Sequence, residues 1–352
     1  MKKILSANLQ KARQLRDLTM EELANIIGCS KQAISHYENA IRFPDSQTLI
    51  ALAEALHVDF ESLIRPNAVQ FSILDVNYRQ GIELTHQEKT EIQRIASERL
   101  NNYVELEQIA KDIIKFENPI SDLLVNNTSD AEKASKLLRK KWKLADLPIP
   151  NVTKMLEDKG IRILKIDFGP VYQHEGLSGW AENKTIPVIV INSKQKELAR
   201  VRYTLFHELG HLLLSMNDDL TNAEIERICE VFAGTMILPT DVLIREFGKN
   251  RTNISIPELR RIKEYYGISI LAIMVRARFS ELISYETFIK WRDSKFFGED
   301  FGQYLGKEEP QRFDQLLFKC LSENKIGIDK AVKLTSKTEE EFQNFYNELF
   351  KF

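Results

Sequence analysis

A mostly α-helical chain with one small β-sheet, an α+β fold, is what this 352-residue sequence predicts. Three observations carry the prediction. Apolar residues recur at helical spacing through most of the chain, starting with Leu5, Leu9, Ala12 and Leu15. Only three short runs, 161–166, 177–182 and 187–192, have the alternating or continuous apolar character of strands. Those runs are followed at once by the apolar helical stretch 198–216, which carries His207-Glu208-Leu209-Gly210-His211.

The first 66 residues predict an all-α unit of five helices. The first helix ends near Asp17, and Thr19-Met20-Glu21-Glu22 then forms a capping box opening a helix over 20–27. Gly28-Cys29 is a tight turn, and Ser30 caps a third helix over 31–39. Two short helices around a glycine turn have the form of a helix-turn-helix. Asp45 starts a fourth helix with Leu49, Leu52, Ala53 and Leu56 inward, and Phe60, Leu63 and Ile64 mark a fifth.

From Leu18 to Ile64 the string LTMEELANIIGCSKQAISHYENAIRFPDSQTLIALAEALHVDFESLI resembles a Cro/XRE-type DNA-binding domain over nearly its whole length. The resemblance implies a third helix that enters the major groove of double-stranded DNA. Ser30, Lys31, Gln32, Ser35 and His36 would then face DNA, with Gln32 pairing to an adenine edge and Lys31 and Arg42 on phosphate. The charge balance departs from that pattern. Residues 1–44 hold seven Lys and Arg against four Asp and Glu, but residues 1–66 hold eight of each. A near-neutral module predicts modest affinity or a homodimer.

Residues 67–130 are expected to be a helical linker region, with an extended piece over 71–78 and a helix or helix pair over 85–116. Asn126 to Asp130 reads as a loop. The helix over 131–144 clusters Arg139, Lys140, Lys141 and Lys143, a pattern that most often marks a solvated helix face. A helix over 152–159 ends at Gly160 before the first strand.

The chemistry concentrates at His207 and His211. Positions four apart stack on one helix face, so two neutral imidazoles can grip one Zn²⁺, and Glu208 is placed to act as a base toward water. Two ligands are too few for a catalytic zinc, which takes three from the protein. His36, His57 and His86 lie far away in the chain, and loop His174 reads as solvated. The helix over 223–238 offers Glu224, Glu226 and Glu230. Glu226 and Glu230 share a flank, so either can reach. Tyr172, His174 and Tyr203 are candidates to steady an oxyanion.

TLFHELGHLLL followed by IERICEVFAGTMILP resembles the ImmA/IrrE family of metallopeptidases. The similarity runs from Arg139-Lys140-Lys141-Trp142 through LPIPNVTKMLEDKGIRILKI, LSGW and PVIVIN to about Arg278. It implies a zincin-like α+β peptidase domain over 131–280, Glu226 as third ligand with Glu230 in reserve, and Glu208 as the general base. In zinc peptidases with this element order the substrate lies along a sheet edge. Residues 281–352, rich in Phe, predict a helical C-terminal subdomain over the peptidase or at a dimer face.

Charge and cysteine content narrow the setting. The net charge of −2 argues against a chain coated by nucleic acid overall. Cys29, Cys229 and Cys320 are few, odd in number and widely spaced, as in a reducing cytoplasm. Neither a signal-peptide core nor a membrane-length apolar run is present, so no membrane partner is expected. Together the two resemblances imply a DNA-binding regulator with a zinc endopeptidase that cleaves a repressor or other protein partner. The alternative is a non-proteolytic regulator or antitoxin that uses the same fold for partner binding or sensing.

Overall fold

The computed structural model describes residues 1–16, 18–58, 60–65, 71–73, 86–168, 175–181, 185–294 and 301–348. Five helices lead: α1 Lys2–Leu15, α2 Met20–Ile27, α3 Lys31–Glu38, α4 Ser46–Leu56 and α5 Phe60–Ile64. The local signals explain their ends. Thr19 and Glu22 satisfy each other's backbone N–H in a complete capping box, and Ser30 and Asp45 cap α3 and α4. Gly28 closes α2 at φ 70°, a left-handed conformation that costs glycine nothing. Leu5, Leu9, Leu23, Ile34, Leu52 and Leu63 form the core of this unit. Asn8 Nδ2 donates to the carbonyls of Ser62, Leu63 and Arg65, tying α1 to α5. Arg13 donates two hydrogen bonds to the buried Glu38 carboxylate, at 2.6 and 2.9 Å, and so fixes the angle of α3.

Strand β1 Phe71–Ile73 comes next, then the long α6 His86–Ala110. Helix α7 Thr128–Lys141 begins three residues earlier than its apolar pattern requires, because Asn127 accepts from Asp130 N and caps it. The expected loop therefore shrinks to its first two residues. Helix α8 Val152–Asp158 leads into β2 Arg162–Ile166, and β3 Gly176–Ala181 and β4 Ile186–Asn192 complete a mixed sheet.

Among the described residues that sheet has four strands in the order β1-β3-β4-β2. β3 is antiparallel to both β1 and β4, whereas β2 and β4 are parallel. Alternation along β4 explains its continuous apolar run. Ile189 and Ile191 enter one core, and Val188 and Val190 enter another on the opposite face.

The first of these cores is built with α9 Leu198–Leu213 and α10 Asn222–Ile237, followed by α11 Thr240–Phe247, α12 Ile256–Tyr266, α13 Ile270–Phe279 and α14 Tyr285–Arg292. The other core joins α6 to α15 Arg312–Ser322, α16 Ile328–Thr335 and α17 Glu339–Glu348. The stretch expected to link domains and the C-terminal tail thus meet on one side of the sheet, through residues such as Leu100, Leu106, Leu317 and Leu334.

Two buried polar knots hold the frame. Arg202 on α9 and Glu308, both fully buried, form an ion pair; Arg202 also donates to the carbonyls of Ile149 and Tyr266, and Glu308 accepts from Thr153 N. Arg139 corrects the expectation of a solvated basic face. It is buried, and its guanidinium donates to the carbonyls of Met236, Ala145 and Leu147, while Lys140, Lys141 and Lys143 remain exposed. No helix among the described residues is long and apolar enough to cross a membrane.

Candidate metal centre and nucleic-acid interface

His207 and His211 sit on the face of α9 that meets α10. Their Nε2 atoms are 3.1 Å apart, and Glu226 on α10 turns its carboxylate to both, 3.2 Å from His207 Nε2 and 3.3 Å from His211 Nε2. A tetrahedral ion with bonds of about 2.0–2.1 Å has ligand-to-ligand edges of about 3.3 Å. Each of the three separations is close to such an edge, the two imidazoles meeting different oxygens of the one carboxylate. His207, His211 and Glu226 are the cluster with metal-ligand spacing among the described residues. Glu226 Oε2 is buried, and its 3.2 Å approach to His207 Nε2 lacks hydrogen-bond geometry, as suits an oxygen shared with a cation. Burial pushes the Glu226 carboxyl up, but the two imidazoles outweigh it and hold it at about 2. The residues fit a divalent metal of the zinc type.

Glu230, the reserve ligand, stays outside this cluster. Glu224 is also absent, because its carboxylate accepts from Thr221 at the start of α10. Tyr203, a candidate to steady an oxyanion, donates its hydroxyl to the Glu230 carbonyl at 3.1 Å. Tyr172 and His174 lie outside the described residues.

Two partners escaped sequence reasoning. Ser178 on β3 donates to Glu208 Oε2 at 2.8 Å, and both residues are buried. Its neighbours in LSGW gave only a strand signal, and nothing in one sequence pairs strand residue 178 with helix residue 208. Cys229 Sγ lies 3.4 Å from His211 Nδ1, on the side of the ring away from the cluster. The approach depends on Gly210, where an added Cβ would stand 3.1 Å from that sulfur. Burial pushes the Cys229 thiol up, so at neutral pH it is protonated.

In the first unit, α3 exposes Lys31 and Gln32 and half-exposes Ser35 and His36, and Arg42 is exposed beyond it. Ser30 is exposed but its hydroxyl is engaged, accepting from Ala33 N as the cap. Lys31 pairs with Glu21 at 3.2 Å across open solvent. Asn39 extends the row at helical spacing from Gln32 and Ser35, and its Nδ2 donates to the Ser35 carbonyl at 2.8 Å. Ile34 and Tyr37 face inward.

This combination defines a class: a helix-turn-helix unit joined to an α+β unit whose central helix presents two histidines to a carboxylate. Residues 9–63 match the family model described as Helix-turn-helix, and residues 156–278 match the M78 peptidase model described as the IrrE N-terminal-like domain. The chain thus carries a region similar to helix-turn-helix domains ahead of one similar to the IrrE N-terminal-like domain. An uncharacterized HTH-type transcriptional regulator of Bacillus subtilis (strain 168), YqaE, is similar to the front of the chain. It is 34% identical over 62 residues, covering 18% of this chain and 53% of that protein. The chain spans about half the length of that relative.

Proposed function

We propose that this protein is a DNA-binding regulator with a zinc-dependent endopeptidase centre, which cleaves a protein partner such as a repressor in a mobile-element or stress circuit. The observation that carries the reading is the convergence of His207, His211 and Glu226 at 3.1–3.3 Å, beside a buried Glu208 with no metal-facing role of its own. A purely structural site has no use for that extra carboxylate.

His207, His211 and Glu226 would hold the zinc. Bound there, the ion supplies a Lewis acid that makes water more acidic and polarises a peptide carbonyl. Glu208 takes the proton from the attacking water and passes it to the leaving amine. Ser178 orients Glu208 through their 2.8 Å hydrogen bond, presenting the other carboxylate oxygen to the reaction. The exposed end of α3, with Gln32 and Lys31, reads the DNA. Three free cysteines, Cys29, Cys229 and Cys320, suit a reducing cytoplasm.

The test combines metal analysis with one substitution. Purified protein should carry one zinc per chain, lose it in His207→Ala, and keep it in Glu208→Gln while cleavage falls by about 10²–10⁴-fold. Full cleavage by Glu208→Gln removes that residue from the chemistry.

A further inference from the structure

Strand β3 has two edges. One pairs with β4, and the other is taken by β1, with Phe71 opposite Ala181, Ser72 opposite Trp180 and Ile73 opposite Gly179. The next residue of β3 is Ser178, which holds Glu208. A chain segment on this edge in this direction therefore runs toward the proposed catalytic carboxylate. The segment that does so belongs to the protein itself and lies between α5 and α6, more than 100 residues before β3.

An extended peptide along a sheet edge is the binding mode expected of such a peptidase; we propose that in this chain the outer edge of β3 at Gly179–Ala181 is already held by its own Phe71–Ile73, a resident occupant that guards it. A peptide partner enters by displacing β1 and pairing in its place. The inference rests on the reading of the Glu208 centre as a peptidase and adds what occupies and guards it. Strand addition gives affinity through main-chain hydrogen bonds, so the same edge accepts chains of varied sequence.

The test uses the full chain carrying Glu208→Gln, so that bound peptide is not consumed. The probe is a fluorescein-labelled synthetic peptide of residues 67–78, followed by anisotropy. Adjacent residues of a strand point their N–H groups to opposite edges, so adding Ser72→Pro with Ile73→Pro removes the one that faces β3. If β1 leaves the edge free less than about a tenth of the time, the proline variant should bind the probe about tenfold tighter or more than its parent. Conversely, Ser72→Cys with Trp180→Cys places thiols at facing positions within disulfide reach. Oxidation should abolish probe binding, and reduction should restore it.

Equal binding by parent, proline variant and oxidised pair, or binding by none, overturns the proposal. Should the proline variant unfold by circular dichroism, the oxidised and reduced forms of the cysteine pair decide alone. Zinc content and probe cleavage in the Glu208-intact chain separate the two readings. Displacement without metal or cleavage keeps the docking edge and removes the peptidase. Zinc and cleavage with no effect of β1 keep the peptidase and remove the resident strand.

Discussion

Ser178 Oγ donates a 2.8 Å hydrogen bond to Glu208 Oε2, joining the strand beside the site to the helix that carries both histidines. A hydrogen bond to an ionised group contributes about 1.5–3 kcal/mol. Ser178→Ala is therefore expected to lower kcat about 10–100-fold with little change in KM. Ser178→Thr keeps the hydroxyl and should retain most of the rate. Steady-state kinetics on a cleaved partner decide: a raised KM with unchanged kcat would mean that Ser178 holds substrate instead.

Cys229 occupies the outer side of His211, where metal-binding histidines usually meet a carboxylate or carbonyl. In the tautomer with Nδ1–H turned to the sulfur, His211 presents Nε2 to the ion. Deleting this contact should weaken zinc binding by about tenfold, the lower end of such effects. Competition with a chromophoric chelator would compare Cys229→Ala with Cys229→Ser, which should stay closer to the parent. Equal affinity in Cys229→Ala removes the sulfur from the metal's support.

Glu157 gives a pH dependence of stability. Burial pushes its carboxyl up from 4.5 to about 7, although it accepts from the backbone N–H groups of Gln311 and Arg312. The folded state thus binds the proton more tightly than the unfolded chain. The stabilising contribution is complete below about pH 4.5 and is lost as pH rises through about 7. Glu157→Gln should flatten this part of the profile of thermal midpoint against pH. A profile unchanged between pH 5 and 7 by that substitution would count against the assignment.

At the proposed DNA face, Gln32→Ala is expected to cost about 1–3 kcal/mol of binding to a selected operator. The loss should be confined to cognate sequence. Arg42→Ala should instead weaken all sequences alike and reduce the salt slope by about one. Titrations at several salt concentrations distinguish them, and a Gln32→Ala loss equal on cognate and random DNA would assign Gln32 to the backbone.

The sequence by itself determined whatever depends on neighbours a few residues apart. Capping at Thr19, Ser30 and Asp45, the glycine turn at Gly28, the strand run of β4 and the stacking of His207 over His211 are local relations. Periodicity and hydrogen-bonding rules express them directly. The resemblance favoured Glu226, but its approach to both imidazoles is a relation between two helices. Tertiary structure alone decided it, together with Ser178 on Glu208, Cys229 on His211, and β1 on the edge of β3. It also took Arg139 from an apparently solvated cluster into the interior, where three carbonyl groups, one in the last turn of α10 and two in the segment after α7, needed a donor. Such contacts join residues from 6 to more than 100 positions apart, and their partners are chosen by how layers pack, a choice that no pattern within one segment encodes.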